Sequence, residues 1–172
     1  MIFQAFGPFE ISLDKHRNIP ERLDDFWAAV EAEKKGLSAA KGCYLFGVKT
    51  SGSQNIFPWY IGKTISSFYR ECFQYHKLVA YQRSISVYQR SRPSILLIPR
   101  LAKGGGLYRG NSDVAINFLE KHLISLGLRA NENLQNKRDT RLYRDVQLKG
   151  VLNSDSRAPD SATKELKCAL GV

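Results

Sequence analysis

The sequence predicts an α+β fold in which a small three-stranded sheet is flanked by helices. Two short aromatic stretches, 43–49 and 56–61, are separated by the polar segment 50–55, a pattern typical of two strands joined as a hairpin. The apolar run 94–98 is bounded by prolines, which favours a buried third strand. Apolar residues at helical spacing follow the second and the third of these strands.

The chain has the size of one domain, 172 residues, and at that size it needs no disulfide or metal in order to fold. Its three cysteines, Cys43, Cys72 and Cys168, have no close spacing, which indicates a reducing compartment and argues against structural zinc. The N-terminus has no basic region followed by a long apolar core, so it does not look like a signal peptide. The longest apolar run, 95–98, is far shorter than the ~20 residues of a membrane span. We therefore expect a soluble cytoplasmic protein with no membrane partner.

The N-terminal segment 1–40 is predicted to be an acidic extension that packs on the core. Residues 1–13 alternate between apolar and polar types, which favours a small hairpin or an edge strand. Residues 20–35 have helical spacing, with Pro20 at the first helical position and Gly36 where the helix stops. The apolar side of that helix is predicted to consist of Leu23, Phe26, Trp27 and Val30.

The second strand of the hairpin leads directly into a predicted helix. Gly62 is expected to end the strand, and Ser66 or Ser67 is expected to cap the helix. The inner, apolar face of the helix is predicted to hold Phe68, Cys72, Tyr75 and Val79. An outward-facing cationic stripe is predicted to hold Arg70, Gln74 and Lys77.

A later helix is predicted to begin at the capping residues 111–113 and to end before Gly127. Its inward-facing residues are predicted to be Ile116, Leu119, Leu123 and Leu126. Glu120 is the only acidic residue of this helix beyond its first turn. A polar stretch then completes the predicted core, which spans 41–136. That stretch contains Asn131, Asn133 and Asn136.

The last segment, 137–172, is predicted to be a C-terminal extension. Its pattern favours a strand near 146–152, a turn near 153–159 and a final helix over 161–170.

Positive charge is concentrated after residue 40. Residues 1–40 have a net charge of −2 and residues 41–172 have a net charge of +12, which together make the formal +10. No acidic residue lies between Glu71 and Asp113. The basic residues of that stretch are Lys77, Arg83, Arg90, Arg92, Arg100, Lys103 and Arg109. Such a field favours a polyanionic partner, of which nucleic acid is the commonest, and the alternative is a generally basic, soluble surface.

Several short motifs, taken in order, resemble the GIY-YIG nuclease family. The first is Gly42-Cys43-Tyr44 and the second is Tyr60-Ile61-Gly62. Arg70 follows ten residues after Tyr60 on the predicted helix, and Glu120 lies in the later helix in the context FLEKHLISLG. The resemblance covers about residues 41–136 and implies that the three strands form an antiparallel sheet.

The resemblance implies hydrolysis of phosphodiester bonds in DNA with one divalent metal ion, Mg²⁺ or Mn²⁺. Glu120 is a hard oxygen ligand and is the expected metal ligand. Arg70 is expected to contact phosphate oxygens as negative charge develops on them. Either Tyr44 or Tyr60 is expected to act as the base or to position the attacking water, and Lys63 is expected to place positive charge near Tyr60.

The DNA itself is expected to lie along basic residues of the helix that follows the hairpin. Those residues are Lys77 and Arg83, with Arg90 just beyond, and Asn133 of the later polar stretch is expected to contact the DNA as well. The family's asparagine, which orders the loop near the site, corresponds to Asn131 or Asn133, and we prefer Asn133. Whether the DNA is plain duplex, branched or damaged, and whether the protein is oligomeric, stays open.

Two positions depart from the family pattern. Cys43 stands in the middle of the first motif, and Gln74 occupies the place where many members carry a histidine or tyrosine. A local distortion of the helix would bring in Tyr75 or His76 instead. Gln74 can orient a water but cannot act as a base at neutral pH. A second hypothesis is therefore a nucleic-acid-binding module that retains the nuclease fold and has weak catalytic activity or none.

Overall fold

The computed structural model describes residues 1–50, 55–110, 114–136, 140 and 161–171. The predicted cap at 111–113, the strand near 146–152 and the turn near 153–159 lie outside the described residues, as does most of the hairpin loop. The chain divides into two compact units, 1–136 and 137–172.

The first unit is built on a five-stranded sheet in which every pairing is antiparallel. Its strands are β1 (Ile2–Phe3), β2 (Phe6–Glu10), β3 (Gly42–Lys49), β4 (Phe57–Thr64) and β5 (Arg92–Leu101). The strand order is β1-β5-β3-β4, and β2 also pairs with β5. The predicted α+β class with an antiparallel sheet is confirmed. The sheet has five strands where the sequence predicted three, because β1 and β2 pair with the edge of β5 that β3 leaves open.

Four helices are described in the first unit, and they pack around this sheet. They are α1 (Asp24–Glu33), α2 (Phe68–Glu71), α3 (Tyr75–Val87) and α4 (Val114–Ala130). The second unit contains α5 (Ser161–Leu170), where the sequence predicted a helix. No helix among the described residues is both long enough and apolar enough to cross a membrane.

One face of the sheet holds an aromatic core beneath α2 and α3. Tyr44 pairs with Gly62 and Phe46 pairs with Tyr60, so both motif tyrosines point to this face. Tyr81 of α3 stacks on Phe46 with ring centroids 3.9 Å apart. Side chains of α1 and β2 extend the same core, since Phe26 contacts Phe9 edge to face.

The opposite face of the sheet is covered by α4. The Cys43 thiol donates to the carbonyl of Ile116 across 3.5 Å. Gly127 packs against the Ile61 side chain, and a Cβ at Gly127 would overlap its Cδ1 atom. The helix does not end at Gly127, as the sequence predicted, but continues to Ala130. Gly127 instead serves packing, since its missing side chain lets α4 approach β4 closely.

Two further boundaries differ from the sequence prediction. The strand β4 does not end at Gly62 but continues to Thr64, because Gly62 and Lys63 both pair with residues of β3. Helix α1 begins at Asp24 and not at Pro20.

The predicted helix after β4 is divided into two. Of the two predicted caps, Ser66 and Ser67, it is Ser67 that caps α2. Its Oγ accepts a hydrogen bond from the backbone N–H of Arg70 at 3.3 Å. The chain then leaves the helix after Cys72, and Gln74 has extended backbone angles before α3 begins. The break rotates α3 relative to α2. Tyr75, predicted to face inward, is therefore 82% exposed, and Val79 is also exposed.

Candidate active site

The two motif tyrosines lie side by side on neighbouring strands. Tyr44 of β3 and Tyr60 of β4 have stacked rings with centroids 6.3 Å apart. Tyr44 is fully buried, and its hydroxyl has no hydrogen-bond partner among the described residues. Tyr60 is partly exposed. A Cβ at Gly62 would overlap the Tyr44 hydroxyl, so the glycine of the second motif provides the space that the Tyr44 phenol occupies.

Both phenols hold their protons at neutral pH. Burial raises the pKa of Tyr44 well above its usual value. Burial also raises the pKa of Tyr60, and the negative charges of Glu120 and Glu71 raise it further. Each tyrosine therefore offers a hydrogen-bond donor and acceptor rather than a phenolate.

Lys63 and Glu120 form an ion pair that connects β4 to α4. The Lys63 Nζ lies 2.5 Å from the Glu120 Oε2. The Lys63 side chain is 35% exposed and the Glu120 side chain is 14% exposed. Lys63 pairs with Cys43 in the strand ladder, so the ion pair lies one residue from the Tyr44–Gly62 pair but on the face covered by α4.

Arg70 is exposed on α2, the helix next to Tyr44. The ring of Phe68 meets that of Tyr44 edge to face at 6.5 Å. Backbone N–H groups of Phe68 and Tyr69 donate to the carbonyls of Ala40 and Ser38, which fixes α2 to the chain just before β3. Arg70 therefore extends into solvent from a short, anchored helix beside the tyrosines.

Lys77 is buried, in contrast to the exposed stripe that the sequence predicted. Its side chain is only 4% exposed and forms an ion pair with Glu71. Its Nζ also donates to the Glu71 carbonyl at 2.7 Å and lies 5.4 Å from the centroid of the Tyr44 ring. Because the ammonium group has these partners in the interior, Lys77 cannot serve as a surface contact for DNA, and that prediction is wrong.

The residues weighed as substitutes for the family's histidine or tyrosine do not enter the site. Gln74 donates from Nε2 to the Glu71 Oε2 at 3.3 Å. Tyr75 and His76 are both exposed at the start of α3. Lys77, by contrast, extends from α3 to the Tyr44 ring. Sequence periodicity could not reveal its contact with Glu71, because a separation of six residues does not bring side chains together on a continuous helix.

The loop after α4 is held to β4 by two asparagines. Asn131 is buried and donates to the Pro58 carbonyl at 2.8 Å. Asn136 donates to the Ile61 carbonyl at 2.6 Å and accepts from the Ile61 N–H at 3.0 Å. The side chain of Asn133 is exposed, so the residue that we preferred does not hold this loop. Asn136, which pairs with the middle of the second motif, was not singled out from the sequence.

The other predicted DNA contacts lie away from the tyrosines. Arg83 and Arg90 are exposed, and Arg83 donates to the Gln135 Oε1 at 3.4 Å. Arg83 lines a cavity of about 820 Å³ together with Asn133 and Trp59. This cavity lies beside the start of β4 and not beside Lys63 at its end.

Glu120 is the carboxylate that the sequence predicted as the metal ligand. The described residues contain no cluster of three or more histidines, cysteines or acids that could hold an ion. Lys63 donates to the Oε2 atom of Glu120, which leaves the Oε1 atom as a hard oxygen ligand for a metal ion. Such a donor fits Mg²⁺, which keeps several waters and binds through one or two carboxylates and phosphate oxygens.

A scan against protein-family models, a search of curated proteins and a search of solved structures each found no match for this chain. The grounds for a function are therefore the motif residues themselves and the geometry in which Tyr44, Tyr60, Lys63 and Glu120 stand.

Proposed function

We propose that the protein is a metal-dependent endonuclease that hydrolyses phosphodiester bonds in DNA. The observation that carries the proposal is the stacking of Tyr44 with Tyr60 on one face of β3 and β4. The Lys63–Glu120 pair lies one residue further along the ladder, on the face covered by α4, and the charge of Glu120 still raises the pKa of Tyr60. Exposed Arg70 on the adjoining α2 adds a cation suited to phosphate. A tyrosine pair, a guanidinium and a lone carboxylate are the groups that the GIY-YIG resemblance requires.

The two tyrosines have different roles in this proposal because their burial differs. Tyr60 is partly exposed, so its hydroxyl can contact the attacking water or the phosphate. Tyr44 is fully buried and positions Tyr60 through their stacked rings. Since the pKa of Tyr60 is raised, its hydroxyl orients the water as a neutral group in the free protein.

Glu120 holds the divalent ion in this proposal, and Lys63 fixes the carboxylate that holds it. When bound, such an ion stabilises negative charge on the phosphate and lowers the pKa of a bound water. Arg70, which is exposed on α2, donates hydrogen bonds to the phosphate oxygens. Each of these contributions adds stabilisation where charge develops in the transition state.

The test is nicking of supercoiled plasmid with Mg²⁺ or Mn²⁺ by the full chain. Glu120→Ala, Arg70→Ala and Tyr60→Phe are each expected to lower the rate by about 100-fold or more, a typical loss for a transition-state contact. Arg129→Ala, at the exposed end of α4, is the matched charge control for Arg70→Ala and should cleave like the wild type. Equal cleavage by all four variants would refute the assignment.

Two observations favour the second candidate, a DNA-binding module without turnover. Lys63 already neutralises Glu120, and Gln74 binds Glu71 where many family members carry a catalytic ring. Salt-sensitive DNA binding with no nicking at any divalent metal ion would select this function. Metal-dependent nicking that Glu120→Ala abolishes would exclude it.

A further inference from the structure

The loop after β5 folds back on the strand and forms a compact platform. The N–H of Ala102 donates to the Gly106 carbonyl at 2.8 Å, and the N–H of Tyr108 donates to the Arg100 carbonyl at 3.0 Å. Leu101 and Leu107 form an additional bridge across the loop. We call residues 102–110, together with the side chains of Lys34 and Lys41, the β5–α4 loop surface.

Every charged side chain of this surface is basic. The Nζ atoms of Lys34 and Lys41 donate to the loop carbonyls of Gly105 and Gly110, at 3.3 and 3.4 Å. The guanidinium of Arg100 lies 3.9 Å from the centroid of the Tyr108 ring at the base of the loop. Residues 102–110 include no acid. The loop is therefore held in place by cations that bind carbonyls and a ring.

Two further cations of the loop are directed to solvent. Lys103 and Arg109 are exposed, and neither belongs to an ion pair between described residues. Between them lie Gly104, Gly105 and Gly106, where an added Cβ would meet no atom within 4 Å. A nucleic-acid backbone can approach such a bare stretch closely, with a positive charge on either side.

The strand register places this surface at the same end of the sheet as the candidate active site. The N–H of Arg100 donates to the Lys41 carbonyl, Gly42 pairs with Thr64, and Cys43 pairs with Lys63. Two strand spacings of about 4.8 Å separate β5 from β4. The loop surface therefore begins within about 10 Å of the strand end that carries Lys63.

Arg90 belongs to the opposite end of the sheet. It lies two residues before Arg92, which pairs with Lys49 at the far end of β3. The seven residue steps from Gly42 to Lys49 span about 23 Å. That distance is more than twice the Debye length of about 10 Å at 0.1 M salt, so a charge at the far end adds little to the field at Lys63.

We propose that the β5–α4 loop surface is where this protein holds the DNA backbone, with Lys103 and Arg109 contacting phosphates. The proposal rests on the proposed function in its choice of DNA as the polyanion. It replaces Lys77, Arg83 and Arg90 as the principal DNA contacts. Because phosphate contacts carry no base information, this surface fixes the position of the DNA without selecting a sequence.

The test compares two double variants that remove the same charge from opposite ends of the sheet. Binding of a fluorescent duplex to the full chain is measured over a range of salt concentrations without divalent metal. Lys103→Ala/Arg109→Ala is expected to weaken binding about tenfold or more and to lower the slope of log K against log salt by about 2, one step of about 0.9 for each lost phosphate contact. Arg83→Ala/Arg90→Ala should remain within about twofold of the wild type.

The charge-preserving variant Lys103→Arg/Arg109→Lys should restore the salt slope, because both phosphate contacts are kept. Equal losses in the two alanine double variants would overturn the proposal in favour of diffuse attraction, as would a larger loss in Arg83→Ala/Arg90→Ala. The result is independent of turnover. Selective loss of binding in a chain that does not nick DNA would support the loop surface while refuting the nuclease.

Discussion

Tyr44 of β3 lies directly opposite Gly62 of β4, and the Tyr44 phenol packs closely against the glycine. The phenol fills the space above Gly62, where a single added carbon would overlap its oxygen. The Tyr44 hydroxyl is buried, with no hydrogen-bond partner among the described residues. The second motif therefore needs glycine at this position for packing, whatever the activity.

Replacement of that glycine tests the fit. Gly62→Ala is expected to displace the Tyr44 ring and to lower the free energy of unfolding by about 1–3 kcal/mol, as overpacking usually does. The measurement is a urea titration of each variant. Gly104→Ala is the matched control, because a Cβ there meets nothing within 4 Å, and it should change stability by less than about 0.5 kcal/mol. If both variants are equally stable, the Tyr44 ring does not occupy the position described.

At the scale of the element, no described strand pairs with the outer edge of β4, and a side chain binds this edge instead. The amide of Asn136 bonds both the N–H and the carbonyl of Ile61, as a neighbouring strand would. Unpaired edges of a sheet invite pairing with other chains, and this contact closes the edge beside the second motif. The carboxamide thus orders the segment from which Tyr60 projects.

Removal of this carboxamide should loosen β4 locally. Asn136→Ala is expected to cost about 1–2 kcal/mol, since it removes two hydrogen bonds to the backbone. Hydrogen exchange at the Ile61 amide should accelerate, and this rate is the direct readout. Asn133→Ala removes an exposed amide of the same loop and should leave Ile61 protected. Unchanged exchange in Asn136→Ala would show that the strand edge is held by other contacts.

At the scale of the whole molecule, two buried thiols and two buried phenols among the described residues make the free energy of unfolding depend on pH in the alkaline range. Burial raises the pKa of the Cys43 thiol from 9.0 to about 12 and raises that of Cys72 further. It also raises the pKa values of Tyr44 and Tyr81. The unfolded chain loses these protons at lower pH than the folded chain, so stability is complete below pH 9 and falls as pH rises above it.

The expected loss is about 3 kcal/mol between pH 8 and pH 10, because each of the two thiols contributes about 1.4 kcal/mol per pH unit above its unfolded pKa. Urea midpoints measured at the two pH values give this difference. Cys43→Ala should reduce the pH dependence by about half of that amount. Cys168→Ala, at an exposed thiol of α5, should leave it unchanged. A midpoint that does not move with pH would contradict the burial of the thiols.

The break between α2 and α3 shows where local pattern stops being informative. Apolar spacing predicted one helix with Tyr75 inward and Lys77 outward, and the structure has the reverse. Glu71 and the Tyr44 ring provide the partners that hold the Lys77 ammonium in the interior. Both lie on other elements or beyond the break, so helical periodicity carries no information about them.

The sequence by itself determined the α+β class, the strands β3, β4 and β5, a helix cap at Ser66 or Ser67, the excess of positive charge and the motif positions. Each of these depends on residues close together in the chain, where side-chain alternation, helical spacing and capping act. Tertiary structure alone decided that Tyr44 is buried while Tyr60 is partly exposed, and that Lys63 reaches Glu120 across 57 residues. The physical reason is that burial and ion pairing depend on which elements pack against each other, and that packing joins residues that no local pattern relates.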